Sequence, residues 1–195
     1  MGIADDLSQV FKEIGSKIQV LDSLPVVYEY VDYSKTDKEG FFVCTLSSKT
    51  KVVPGNVISV VSNGEKYLVL HVIKQQFENS VVLVEAAMVY CRNAVTIKRK
   101  TEIKDAVTRE KVSVWSNIST AYCFISQTTT GNTINAENDE AFVNEKNKKL
   151  FISSTVGVKT GDRASFNGVN LQIGDIDILR YPGVAVCELF EDDRP

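Results

Sequence analysis

The sequence predicts a mainly β protein, an N-terminal amphipathic helix followed by one or two small antiparallel β-barrels. Three observations carry that prediction. Apolar residues near the start recur at helical spacing, and from Leu24 onward they recur at every second position between clusters of turn-forming residues. The order of turns and strands in the first half then returns in the second, which points to a tandem duplication.

The helix is expected over Ile3 to Ile18. Ile3, Leu7, Val10, Phe11, Ile14 and Ile18 fall three or four apart and form one apolar stripe, while Asp5 and Asp6 complement the positive end of the helix dipole. Gly15 marks its C-terminal end. Such a stripe is buried either on the chain's own barrel or on a neighbouring subunit, so Leu7, Phe11 and Ile14 are candidate interface residues.

In the first β unit, Val26, Tyr28 and Tyr30 alternate with Val27, Glu29 and Val31, and Phe41 to Leu46 forms the returning strand. The chain then passes through Val53-Pro54-Gly55-Asn56, a strand from Val57 to Val61, the turn Asn63-Gly64 and a strand from Tyr67 to Ile73. A polar break covers Gln75 to Ser80, and Val81 to Tyr90 closes the unit at Cys91-Arg92. These features divide the chain into a helix (1–20), a barrel-like unit (21–92), a linker or strand with a basic run (93–111) and a second barrel-like unit (112–195). The second unit carries a long polar loop at 127–149.

Gly161 to Arg194 reads as a compact run of hairpins. Asn167-Gly168 suits a type I′ turn, which needs positive φ at both central residues. The alternation of Val169, Leu171, Ile173, Ile176 and Ile178 breaks once at Gly174, where a β-bulge fits. Tyr181-Pro182-Gly183 has proline and glycine where a type II turn wants them.

Laid beside the first unit, this stretch repeats its plan. Gly55-Asn56 corresponds to Gly161-Asp162, Asn63-Gly64 to Asn167-Gly168, and Val81 to Val84 corresponds to Val184 to Val186. Upstream, Phe41 to Thr45 corresponds to Leu150 to Ser154, and Val26 to Tyr33 to Ala121 to Gln127.

Composition narrows the function. The 195 residues carry a formal net charge of -3, which disfavours a protein that must neutralise many phosphates. Apolar runs are too short to span a bilayer, and Asp6 stands where a myristoylation signal wants Ser or Thr, so the chain is expected to stay in the cytoplasm where it is made. Cys44, Cys91, Cys123 and Cys187 are far apart and lie in apolar strands, as buried free thiols would, and His71 stands alone. No metal site, cofactor fingerprint or catalytic constellation is expected. Glu188, Glu191, Asp192 and Asp193 read as a solvated acidic end. The aromatic cluster Tyr28, Tyr30, Tyr33, Phe41 and Phe42 lacks the basic flanks of a nucleic-acid groove.

Asp162-Arg163, Phe166-Asn167-Gly168, Ile176-Asp177, Arg180-Tyr181-Pro182-Gly183 and a final Leu189-x-Glu191-Asp192-x-Arg194, in that order, resemble the β-barrel neck proteins of tailed bacteriophages. These are the head-closure or head-to-tail joining family. The resemblance covers chiefly 157–195 and more loosely 52–92. It implies a structural protein of the virion and no enzyme. It also implies a homo-oligomeric ring, a hexamer, meeting portal or adaptor and tail proteins, with DNA passing through the lumen unread and no membrane contact. On that view Lys98, Arg99 and Lys100, together with Glu188, Glu191, Asp192 and Arg194, are interface candidates, and the acidic run Asn135 to Glu140 faces the duplex. Two alternatives stand beside it: a tail-terminator ring, and a β-barrel module binding nucleic acid or carbohydrate.

Overall fold

A computed structural model describes residues 3–21, 23, 25–35, 40–104, 109–129 and 146–194. Among the described residues one α-helix, α1 (Ile3–Ile14), precedes twelve strands. The first six are β1 (Ser16–Val20), β2 (Val27–Lys35), β3 (Phe41–Ser47), β4 (Val57–Val60), β5 (Lys66–Phe77) and β6 (Ser80–Tyr90). The second six are β7 (Asn93–Lys104), β8 (Lys111–Thr129), β9 (Lys146–Ser153), β10 (Arg163–Phe166), β11 (Val169–Asp177) and β12 (Val184–Glu191). No described helix is long and apolar enough to cross a membrane.

The strands close into two antiparallel barrels, β1-β2-β3-β6-β5-β4 and β7-β8-β9-β12-β11-β10. Adding six to each strand number of the first barrel gives the second, so the chain holds the same closed sheet twice, consistent with tandem duplication. Local detail repeats as well. Gly55 and Gly161 both have positive φ, 88° and 87°. The Gly55 amide donates to the Val69 carbonyl and the Val69 amide to Asn56, as the Gly161 amide donates to Ile173 and the Ile173 amide to Asp162. The Asn56 side chain accepts from the Val53 amide at 2.9 Å and the Asp162 carboxylate from the Lys159 amide at 2.8 Å. One residue after this point each strand carries a bulge, at Leu70 in β5 and in the Gly174-Asp175 region of β11.

The expected helix ends four residues early. Ile18 is fully buried inside the first barrel as part of β1, whereas Ile14 is 79% exposed. The cause is a coincidence of spacing: Ile18 and Val20 belong to a period-two pattern that begins where the period-3.6 stripe stops. Gly15 occupies the junction because an added Cβ would overlap the Phe11 carbonyl and press on that of Val31. The helix lies on β6, β2 and β3 of its own barrel, with Phe11 buried and Ser8 bonded to Ser47 at 2.9 Å. The first barrel therefore begins at Ser16, and Asn93 to Lys104, expected as linker or strand, is an integral strand of the second.

Turns follow the residues. Asn167 and Gly168 both have positive φ and close a two-residue hairpin between Phe166 and Val169. Asn63-Gly64 sits in a loop two residues longer, where Gly64 alone is left-handed and its amide donates to Val60. Gly183 has φ 78° and the Val184 amide donates to Tyr181, the type II arrangement. The polar break at Gln75 to Ser80 is instead strand on both sides of a tight turn, with Glu78 and Asn79 both at positive φ.

All four cysteines are buried and unpaired in disulfides, and burial pushes each thiol up to about 12. A thiol reagent at pH 8 is expected to label none of them in the folded chain and all four in denaturant; labelling of the native protein would contradict this packing.

Candidate assembly surface

The two barrels are joined along their sides. Val57, Leu68, Leu70 and Val89 of β4, β5 and β6, with Cys91 just after β6, pack with Phe151, Val184 and Val186 from β9 and β12. Aromatic rings run through the contact: Phe41 to Phe124 at 5.9 Å, Phe124 to Phe151 at 5.7 Å and Phe151 to Tyr181 at 6.3 Å between centroids. Pro54 and Gly55 touch Gly183 through backbone alone, and a Cβ on either glycine would overlap the other chain segment. β6 passes into β7 through only Cys91 and Arg92. A buried apolar cluster and a two-residue joint make the two barrels one body.

Registers show what this contact became in the second barrel. Val57, Leu68 and Val89 lie side by side across β4, β5 and β6, and Arg163, Gln172 and Phe190 lie side by side across β10, β11 and β12. Two residues further on, Cys91 corresponds to Asp192. The outer face that docks barrel to barrel in the first unit is thus charged in the second.

That charged face is fully engaged. Asp192, with its side chain wholly buried, accepts from Arg163 Nε at 2.7 Å and from Arg194 Nε and Nη2 at 2.7 and 2.9 Å. Arg163 also donates to the Arg194 carbonyl, and Arg194 to the Gly161 carbonyl at 3.1 Å. Both guanidinium groups stack on Trp115, Arg163 at 4.0 Å and Arg194 at 5.1 Å from the ring centroid. Hydrogen bonds from Arg194 and Arg163 hold the Asp192 carboxyl well below the usual carboxylate range, against the opposing pull of burial. Nearby, Arg99 reaches the Gly157 carbonyl at 2.9 Å and grips Asp162 with two bonds of 2.8 and 2.7 Å, and the hydrogen bonding to Asp162 raises the Arg99 pKa.

These two clusters fix a projecting hairpin. β7 and β8 stay paired out to Lys104 and Lys111, well beyond the last β10 contact at Lys98. Trp115 on one side of this arm and Arg99 on the other are the residues clamped to the barrel. A second arm is formed by the distal halves of β5 and β6, paired out to Phe77 and Ser80. Strand directions place both arms at the end of their barrels opposite the Asn-Gly turns, and the Pro54-Gly55 contact with Gly183 brings those two ends together.

Exposed apolar side chains gather at this end. Of the fifteen large hydrophobic residues that are exposed among the described residues, eight lie there. They are Ile73 and Phe77 on one arm, Ile103 and Val112 on the other, Val26 and Val53 in connecting loops, and Ile178 and Leu179 in the β11 to β12 turn. Leu179 is 89% exposed on a turn held rigid by Asp177, which accepts from the Leu179 and Arg180 amides. Lys100, Lys104 and Arg109 put positive charge on the β7 to β8 arm, Lys98 lies at its base beside Arg163, and Lys111 pairs with Glu102 at 3.0 Å.

The sequence-based candidates therefore separate. Lys98 is half-buried at the base of the arm, Lys100 is exposed on it, Glu188 and Glu191 are exposed on β12, and Ile14 is exposed on the helix. Leu7 is half-buried and Phe11 buried beneath the helix, while Arg99, Asp192 and Arg194 serve contacts within the chain. Asp192 is the correction to the solvated acidic end: two arginines enclose it. Asn135 to Glu140 lies outside the described residues. The contacts made by Trp115, Asp162 and Arg163, and the one between Gly55 and Gly183, had no sequence signal, because the partners are distant along the chain.

Other chemistry is sparse. No group of three His, Cys, Asp or Glu side chains suited to a metal ion occurs among the described residues. A cleft of about 240 Å³ between the barrels is lined by Leu21, Val57, Ser119, Tyr122, Ser153 and Thr155, with hydroxyls and no charged group. No protein-family model matches the chain, and no curated protein matches it.

Proposed function

We propose that this chain is a structural subunit of the head-to-tail connector of a tailed phage, a head-closure or neck ring that seals packaged DNA and docks the tail. The observation that carries the proposal is the concentration of exposed apolar side chains, with basic neighbours, on two stiff arms at one end of a fused pair of barrels. Such a surface suits protein association, and clamping the arm base by buried ion pairs pre-organises it for that role. The order of motifs in the closing stretch, which resembles the neck family, supplies the particular setting.

Imaging of particles assembled without the protein tests the reading. Filled heads that leak DNA and lack tails are expected; intact, joined particles would overturn it. A finer test uses the basic arm. Lys100→Glu combined with Lys104→Glu should weaken docking while leaving the melting temperature within a few degrees, since both are exposed on the arm away from the core. Arg99 is left out of this variant because Glu there would face Asp162.

A further inference from the structure

We infer that the second barrel carries a face for the phosphate backbone of duplex DNA, running from the outer side of β11, β10, β7 and β8 onto the β7 to β8 arm. The inference rests on the connector reading for its duplex and deepens it, since it names the side of the chain that meets the DNA. Residues directly opposite in antiparallel strands share a face, and the registers assemble this one row by row. Asn170, Ser165, Thr96 and Thr120 form one row, and Gln172, Arg163, Lys98 and Asn117 form the next. On the arm the face continues through Lys100 with Trp115, Glu102 with Ser113, and Lys104 with Lys111. The alternate residues Val95, Ile97, Ala164 and Leu171 fill the barrel core, so these rows point outward.

The chemistry of the rows selects the ligand. Cations, hydroxyls and amides are the side chains that contact nucleic-acid phosphates, and apart from Trp115 and Glu102 the rows hold nothing else. Glu102 is bonded to Lys111 at 3.0 Å, and Asp192, which lies against Arg163, is enclosed by two guanidinium groups. Glu191 and Asp193, both exposed, lie where β12 ends, outside the rows. A chain with a net charge of -3 thus sets Lys98, Lys100 and Lys104 in line on one face.

Other ligands fit this face less well. A protein partner calls for an apolar centre, but no exposed large hydrophobic residue belongs to the rows, and Ile103 and Val112 stand on the opposite face of the arm. Single strands bind by stacking bases on aromatic rings, and Trp115 already stacks with Arg163 and Arg194. A two-stranded ribbon such as the arm fits the major groove of a duplex, and the ion pairs at its base hold it in place for that contact.

Binding of a labelled duplex of random sequence to the full chain, read by fluorescence anisotropy across a salt series, tests this. The logarithm of affinity is expected to fall linearly with that of salt, with a slope of about −3 for phosphates at Lys98, Lys100 and Lys104. Lys100→Gln should reduce the magnitude of the slope by about 1. Asn117→Glu combined with Asn170→Glu places two carboxylates at exposed positions of the rows without touching Lys100 or Lys104, and should weaken binding about tenfold or more. Ser62→Glu combined with Gln76→Glu, exposed on the first barrel, changes the net charge equally and should leave binding unchanged. Melting temperatures of both double variants verify that they fold. Absence of duplex binding at low salt, equal weakening by the two double variants, or tighter binding of a single strand would overturn the assignment. Retention of the chain on immobilised polyglutamate with no duplex binding would make the face a site for an acidic protein, and overturns it too. None of these results moves the particle images, on which the connector reading stands or falls.

Discussion

Asp192→Ala is expected to destabilise the chain by about 3 kcal/mol or more, the usual cost of removing one partner from a buried charge cluster. The loss is large because two guanidinium groups, Arg163 and Arg194, then remain against Trp115 with their shared carboxylate gone. Glu191→Ala and Asp193→Ala remove exposed carboxylates next to it and should change stability by less than about 0.5 kcal/mol. Denaturant unfolding of the three variants is the measurement. Equal midpoints for Asp192→Ala and Asp193→Ala would show that the cluster contributes nothing. Amide exchange should also rise in the β7 to β8 arm of Asp192→Ala, because Trp115 is the arm residue that the cluster holds.

The same cluster gives a pH dependence of known sign. The Asp192 carboxyl has a lower pKa in the folded chain than its ordinary value of 3.8 in the unfolded one, so protons bind the unfolded state first as pH falls. Its contribution is complete above that ordinary value and is lost as the pH drops further toward the folded one. Unfolding free energy should therefore decline below pH 3.8 in the wild type, with a shallower decline in Asp192→Asn, which has no carboxyl to titrate at this position. An identical acid limb in both proteins would remove Asp192 from the account.

Much of the fold could be read from the residues because the signals were local. Asn167-Gly168 sets its own backbone, Pro182-Gly183 does the same, and Gly174 interrupts an alternation where the strand bulges. The duplication was readable for the same reason, since Gly55-Asn56 and Gly161-Asp162 each carry the whole turn within a few residues. Errors arose where two periodicities overlap, as at Ile18, and where polar residues occupy a strand that has no core to face. Gln75, Gln76 and Phe77 lie on an arm open to water on both faces, so alternation had nothing to report. The charged face was hidden for a third reason: Asp192 finds Arg163 twenty-nine residues away, and composition around Asp192 alone suggests a solvated end.

Duplication also explains why one face is apolar and its copy charged. A tandem of identical barrels would expose at one end the same apolar surface that it buries in the middle. Here α1 covers β6, β2 and β3 of the first barrel, the counterparts of the β12, β8 and β9 side on which the second barrel receives the first. At the other end Arg163 and Asp192 replace Val57 and Cys91. Both ends of the stack are closed by different means.

The joint between the barrels is then the other place where one change should have a large effect. Gly55→Ala is expected to cost about 3 kcal/mol or more, combining left-handed backbone strain with overpacking against the Gly183 carbonyl. That carbonyl cannot retreat freely, because it accepts the Ser154 amide at 2.9 Å. Gly161→Ala is the internal control: its φ of 87° nearly equals the 88° of Gly55, yet nothing lies within 4 Å of the added Cβ. Backbone strain alone should cost about 1 to 2 kcal/mol there. The wild-type chain should melt in a single transition, since the apolar cluster of Leu68, Val89, Phe151 and Val184 couples the two barrels. In Gly55→Ala that coupling is pried apart at one edge, and calorimetry should resolve two transitions. Equal destabilisation by the two alanines, with one transition in each, would mean that the close approach of Gly55 and Gly183 plays no part in holding the barrels together.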